Sequence, residues 1–157
     1  MIRAAKPSDM AQLVKLIEAH AAYEGFPFQH GFPNRAGLER LAFGHSTRLL
    51  IWVAEQDDQL IGYMSATVDY STWNAAAFLY LDCLYLTEAA RGLGLGKQMM
   101  ETLDLFAAER GIPAIEWQTP PDNALGLGFY RHIGARELPK RRFTRSVPSL
   151  FEERAVA

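Results

Sequence analysis

The chain has 157 residues, 49% of them hydrophobic and 22% charged, which suits one domain built around one substantial core. With 16 basic and 18 acidic side chains the formal charge is −2, and that excludes a general nucleic-acid binder with its basic excess. The one cysteine, Cys83, excludes an internal disulfide and fits a cytoplasmic location, and the longest apolar runs, LLIWVA and AAAFLYL, are far too short to span a membrane.

MIRAAKPSD carries no apolar segment behind its charges, so it does not read as a signal peptide. Ile2 to Ala5 reads as a short opening strand. Ser8 or Asp9 caps a helix with Met10, Leu13, Val14 and Ile17 at helical spacing, ended by Gly25 and Pro27. Asn34 caps a weaker second helix with Leu38, Leu41 and Ala42 on one face. The period then changes: TRLLIWVAEQ, a turn at Asp57 to Gln59, and LIGYMSATVDY predict a β-hairpin. Phe78 to Leu86, FLYLDCLYL, is apolar on both faces and is expected inside a sheet. Lys97 to Arg110 is an amphipathic helix with Met99, Met100, Leu103, Phe106 and Ala107 on one side, stopped by Gly111 and Pro113. AIEWQ is a further strand, TPPD a loop, and Asn123 caps a helix from about Ala124 to Ile133 that Gly134 ends. LPKRRFTRSV offers a last strand. Helices packed on a mixed sheet follow, an α/β or α+β layered domain over residues 1–157.

Between the strand at Leu86 and the helix at Lys97 stands RGLGLGK. Glycine costs entropy in ordered structure, so three glycines at alternate positions supply what a side chain would prevent. The first amides of a helix have no intrahelical partner and sit at the positive end of its dipole; glycines let a phosphate approach them. Two phosphate motifs fail. A nucleotide-triphosphate loop needs glycine where Arg91 stands and Ser or Thr where Gln98 stands. The dinucleotide fingerprint needs a third glycine at Lys97.

What remains is Arg-x-x-Gly-x-Gly at Arg91, Gly94 and Gly96. It resembles the pyrophosphate motif of the GNAT superfamily of N-acetyltransferases, which use acetyl-coenzyme A. A second segment, EWQTPPDNALGLGFYRHIGA, is similar to that superfamily's strand, loop asparagine and Phe-Tyr helix, with Asn123, Phe129, Tyr130, Gly134 and Ala135 in place. The diamine (spermidine/spermine-type) branch is the most similar. It has a Tyr-Glu pair ending the first helix, here Tyr23-Glu24, a Trp before the central strand, here Trp73, and an acidic strand residue, here Asp82.

The resemblance implies a mostly antiparallel mixed sheet flanked by helices, a homodimer, and acetyl transfer to the primary amine of a small molecule. It implies that the turn Arg91, Gly92, Leu93, Gly94, Leu95, Gly96 and Lys97 holds the coenzyme's pyrophosphate. Leu84, Tyr85 and Leu86 then run beside the pantetheine arm, one amide polarising the thioester, and Asn123 bonds the arm from the other side. Tyr130 takes the general-acid position. Asp82 stands as the base candidate or as a merely edge-facing carboxylate; Glu24 shares the duty, binds substrate, or is a solvated helix end. Trp73 walls the acceptor pocket or packs under a loop.

The chain departs from the diamine pattern in two places. Cys83 replaces an acidic residue, and Arg142, beside Arg141, stands where that branch has another. Both changes point away from long polyamines and toward a substrate such as an amino acid, unless the arginines simply line a solvated edge. His20, His30, His45 and His132 lack metal-ligand spacing, so no metal is expected. Cys83 reads as a buried strand residue with no base nearby. Two other functions fit the same motifs: acetylation of a peptide or protein, and non-catalytic sensing of an acyl-coenzyme A.

Overall fold

The computed structural model describes residues 1–25 and 35–145. Its residues fall into two compact units, Met1–Asn123 and the stretch from Ala124.

The first unit is a five-stranded sheet in the order β1-β2-β3-β4-β5. Strands β1 (Ile2–Ala4), β2 (Leu50–Gln56), β3 (Gln59–Ser71) and β4 (Ala76–Leu86) pair antiparallel in sequence, and β5 (Ile115–Trp117) lies parallel to β4. The β2–β3 turn is the two-residue Asp57-Asp58, both at positive φ (50° and 60°). That left-handed pair matches the right-handed twist of the flanking strands, and Asp tolerates it better than most residues. As its apolar sequence suggested, β4 is paired on both sides.

Period-two alternation assigns the two faces. Ile51, Val53, Leu60 and Tyr63 pack with Met10, Leu13 and Leu16 of α1 (Met10–Glu24) and Ala42 of α2 (Arg35–Phe43). Trp52, between two of them in the strand, turns the other way and meets Phe106 of α3 (Leu95–Glu109) edge-on at 5.1 Å. Met99, Met100, Leu103 and Ala107 bury the inner face of α3. Gly25, at φ 63°, ends α1 through amide bonds back to Ala21 and Ala22. Pro27 and Asn34, expected to stop α1 and to cap α2, lie outside the described residues.

The opening strand is fastened by charge. The Asp9 carboxylate accepts the Lys6 amide at 2.7 Å and pairs with Arg3 at 2.7 Å, and Arg3 also reaches Glu55 at 2.7 Å. This ties β1, β2 and the start of α1 together.

The second unit holds α4 (Ala124–His132), closed by Gly134 at φ 84° and by the Ala135 amide on the Tyr130 carbonyl. Residues 136–145 form no strand, so the described part of LPKRRFTRSV does not extend a sheet, and Arg141 and Arg142 are exposed. Among the described residues no helix is long and apolar enough to cross a membrane.

Candidate acyl-transfer site

The site is set by an irregularity in β4. Ser65 faces Cys83 and Ala66 faces Leu81, so Asp82 is one extra residue without a partner in β3, a β-bulge. β5 pairs with β4 only across Leu79–Leu81. From the bulge onward Cys83 to Leu86 keep β3 on one side, while on their other edge no strand pairs with them among the described residues. An extended ligand can add itself there as a strand would. The bulge also shifts the alternation, which brings Cys83 and Tyr85 onto the α1 face beside Tyr63.

The glycine segment follows through a single 3-10 turn, Glu88–Ala90. Gly92 and Gly94 take φ of 74° and 79°, the left-handed region that glycine enters without strain. Gly94 is the N-cap of α3, and the first intrahelical bond is Gln98 N–H to the Gly94 carbonyl at 3.1 Å. The amides of Leu95, Gly96 and Lys97 therefore have no acceptor within the helix and point out of its N-terminus. The helix begins two residues earlier than its apolar periodicity suggested, because Gly94 rather than Gly96 makes the turn.

Arg91 turns inward. Its Nε donates to the Leu86 carbonyl at 3.0 Å, and its guanidinium carbon sits 4.6 Å from the Tyr23 ring centre and 5.7 Å from that of Tyr85. These are cation–π distances. The Tyr23 hydroxyl donates to Asn123 Oδ1 at 3.3 Å, and Asn123 Nδ2 donates to Thr119 at 3.0 Å. The fold thus joins the end of α1, the end of β4, the glycine turn and the asparagine loop, and Tyr23, Tyr85, Leu86, Arg91 and Asn123 come together.

Next to this junction is a polar cluster that the sequence did not announce. His20 Nδ1 lies 2.8 Å from the Tyr63 hydroxyl and its Nε2 lies 3.3 Å from Glu24. Its ring stacks on Tyr85 at 5.1 Å. The Cys83 thiol donates to Asp82 at 3.7 Å. Cys83 is half-buried rather than buried and does have partners, correcting the isolated strand cysteine expected from sequence. Burial holds the His20 imidazolium below its usual range, partly offset by the Glu24 carboxylate. Burial also raises the Tyr63 phenol, and it pushes the Cys83 thiol up to about 11, helped by Asp82. At neutral pH all three side chains are uncharged. The available signal for His20 was its i, i+4 spacing to Glu24; Tyr63 carried none.

Trp73 is not brought to this cluster. It stands in the β3–β4 turn, 96% exposed, beyond Ala76, which is itself roughly 20 Å along the strand from Asp82 at about 3.3 Å per residue. It neither packs under a loop nor lines this site in its own chain. Asp82 is exposed, as the unpaired residue of a bulge at the sheet surface can be. Tyr130 lies on α4 of the second unit, its ring tilted against Phe129 at 5.3 Å.

Comparison with known proteins agrees with this architecture. The Acetyltransferase (GNAT) family profile matches residues 13–135. A thialysine N-epsilon-acetyltransferase of Bos taurus is 27% identical over 88% of this chain and 85% of its own length. A spermidine/spermine N(1)-acetyltransferase-like protein 1 of Homo sapiens is 27% identical over 87% of this chain but only 20% of its own. In fold, the chain is similar to an aminoglycoside acetyltransferase, meta-AAC0020, from an uncultured soil metagenomic sample, with a TM-score of 0.79 at 18% identity over 94% of this chain and 96% of that one. With a left-handed glycine turn opening α3, a bulged β4 and a family match across most of its length, the chain belongs to the GNAT family of N-acetyltransferases.

Proposed function

We propose that this chain transfers the acetyl group of acetyl-coenzyme A to the primary amine of a small molecule. The observation that carries the reading is the continuity of the β4 edge, from Cys83 to Leu86, with the amide-lined turn at Gly92 to Lys97. The turn suits a pyrophosphate: glycine Cβ atoms are absent where it would approach, and the amides of Leu95, Gly96 and Lys97 point outward. The edge suits the extended pantetheine arm. A backbone amide among Leu84, Tyr85 and Leu86 would polarise the thioester carbonyl, and Asn123 would bond the arm.

Holding both reactants in place supplies up to ~7–11 kcal/mol of barrier lowering in favourable cases. The acceptor enters as an ammonium with a pKa of roughly 10 and must lose a proton before it attacks. Glu24 and Asp82 are the carboxylates offered to that cation, with the Tyr23 and Tyr85 rings beside them. Tyr130 is assigned the general acid from its place in the family motif. A phenol near pKa 10 can protonate a departing thiolate whose acid has a pKa of roughly 8.5, an uphill step of modest size. Cys83 and Arg142, standing where the diamine branch has acidic residues, favour a substrate that also carries a carboxylate over a long polyamine. The thialysine relative supports the same choice. By the same resemblance the working unit is a homodimer in the cytoplasm, which sedimentation and fractionation would test.

Thiol release decides the function. Purified protein is given acetyl-coenzyme A with diamines, polyamines, amino acids, aminoglycosides and short peptides in turn. Release with an amino acid or another small amine supports the reading. Release with peptides alone moves the substrate class to proteins. Coenzyme binding without release across the whole panel replaces the enzyme with a sensor.

A further inference from the structure

The far end of β4 has a phase, and one hydrogen bond sets it. The Thr87 amide donates to the Ile61 carbonyl at 2.9 Å, so residue 87, and with it 85 and 83, turns its backbone groups to β3. Leu84 and Leu86, which alternate with them, turn theirs to the opposite edge, where no strand pairs with them among the described residues. Of the three residues expected beside the pantetheine arm, Tyr85 therefore gives its amide to β3. The arm is left with Leu84 and Leu86.

The Leu86 carbonyl on that edge accepts the Arg91 Nε–H at 3.0 Å. The peptide unit of this carbonyl also carries the Thr87 N–H, so it is held on both edges, by the sheet on one and by a cation on the other. A hydrogen bond from a charged donor is roughly twice as strong as a neutral one. The guanidinium is supported in turn: its carbon lies 4.6 Å from the Tyr23 ring centre and 5.7 Å from that of Tyr85. Tyr23 is itself bonded to Asn123 at 3.3 Å. The Arg91 side chain is thus directed back at the end of β4. The outward donors of the turn are the amides that open α3, beginning after Gly94.

We propose that the Arg91 side chain positions the acyl-carrying arm, and that the backbone amides of the turn hold the pyrophosphate without it. By pinning Leu86 it keeps the last two residues of the open edge in line, so that an arm added to β4 meets the amides of Leu84 and Leu86 in one register. The inference rests on the acetyltransferase reading above. It departs from the resemblance, which places Arg91 among the pyrophosphate contacts. Arg91 touches no reacting atom and works through Leu86 and Tyr23. The effect is on alignment: a thioester displaced by about 1 Å from its polarising amide can lose ~10²-fold in rate. Lysine cannot replace it, because its ammonium lacks the planar group that donates from Nε while lying over two rings.

The test compares the wild type with Arg91→Lys and Arg91→Gln on two acetyl donors, using the amine that the thiol-release panel identifies. One donor is acetyl-coenzyme A; the other is S-acetylpantetheine, which carries the same arm and thioester and no pyrophosphate. Both variants are expected to lose about tenfold in kcat with either donor, while the KM for acetyl-coenzyme A changes by less than about threefold. A loss confined to acetyl-coenzyme A and seen in its KM makes Arg91 a phosphate ligand and overturns the proposal. Wild-type kcat in Arg91→Lys overturns it too.

A measurement on the wild type needs neither turnover nor a folded variant. The nitrogen-15 signal of the Arg91 Nε–H should exchange slowly with solvent and stay slow when coenzyme A is added, because the bond to Leu86 persists. Loss of that protection on adding coenzyme A shows the side chain leaving for the phosphates, and overturns the proposal. No thiol release by the wild type with any amine overturns the acetyltransferase reading instead, and the Nε–H signal still decides whether Arg91 stays on Leu86.

Discussion

Tyr23 and Asn123, one hundred residues apart, meet through a hydrogen bond of 3.3 Å from the phenol to the amide oxygen. Tyr23 also carries the Arg91 guanidinium on its ring face. One residue at the end of α1 thus fixes the angle between the glycine turn and the loop that follows β5. Both partners belong to groups expected to bind acetyl-coenzyme A, Arg91 in the turn for its pyrophosphate and Asn123 beside its pantetheine arm, so the tyrosine is a joint between two parts of one binding site.

Removing that joint has a specific signature. Tyr23→Phe keeps the ring under Arg91 and deletes only the donor, so stability should fall by no more than about 1 kcal/mol. The KM for acetyl-coenzyme A should rise about three- to tenfold, because Asn123 loses its fixed orientation. Steady-state kinetics beside a thermal melt would show it; unchanged KM would mean the bond has no part in coenzyme binding.

Gly94 isolates backbone conformation from crowding. A methyl group there meets nothing within 4 Å, yet φ is 79°. Gly94→Ala should therefore cost about 1–2 kcal/mol through the left-handed backbone alone. Part of that cost is expected to appear as weaker coenzyme binding, since relaxing the turn moves the amides of Leu95 and Gly96. Calorimetric titration with coenzyme A, set against the denaturation midpoint, separates the two losses. A melt and an affinity both equal to wild type would show that the turn tolerates a side chain.

Tyr130→Phe removes a proton donor and little else. If the phenol protonates the departing thiolate, kcat should fall at least about tenfold while coenzyme affinity stays near wild type. Single-turnover thiol release measures this directly. Unchanged turnover would return Tyr130 to simple packing.

Acid should loosen the opening strand first. Arg3, bonded to both carboxylates, holds Asp9 and Glu55 below the usual carboxylate range. The unfolded chain therefore binds protons at about pH 4, where the folded one still does not, and stability from these pairs is complete above that value. It drains away as the pH falls through the lower folded-state values. Urea midpoints should stay level from this source down to about pH 5 and then decline. Asp9→Asn should cost about 1–2 kcal/mol at pH 7 and flatten that decline. A variant whose acid curve parallels the wild type would locate the sensitivity elsewhere.

Local chemistry made much of this protein legible from its sequence. Apolar spacing placed α1, α3 and the strands, because burying one face demands a period of 3.6 or 2 wherever the element sits. Asp57-Asp58, Gly25, Gly111 and Gly134 marked turns because few residues accept their backbone angles. The glycine run announced its turn for the same reason, and its motif with Asn123 and Tyr130 pointed to the family. The site itself depended on pairing between distant segments. A bulge at Asp82 exists only relative to the register of β3, and the open edge of Cys83 to Leu86 only relative to where β5 stops. His20, Tyr63 and Cys83 lie on three elements with no shared spacing, so only their packing could reveal that they touch. Trp73 stands apart from this cluster for the converse reason. Its place in a motif said nothing of the strand length that carries it to the exposed end of the hairpin.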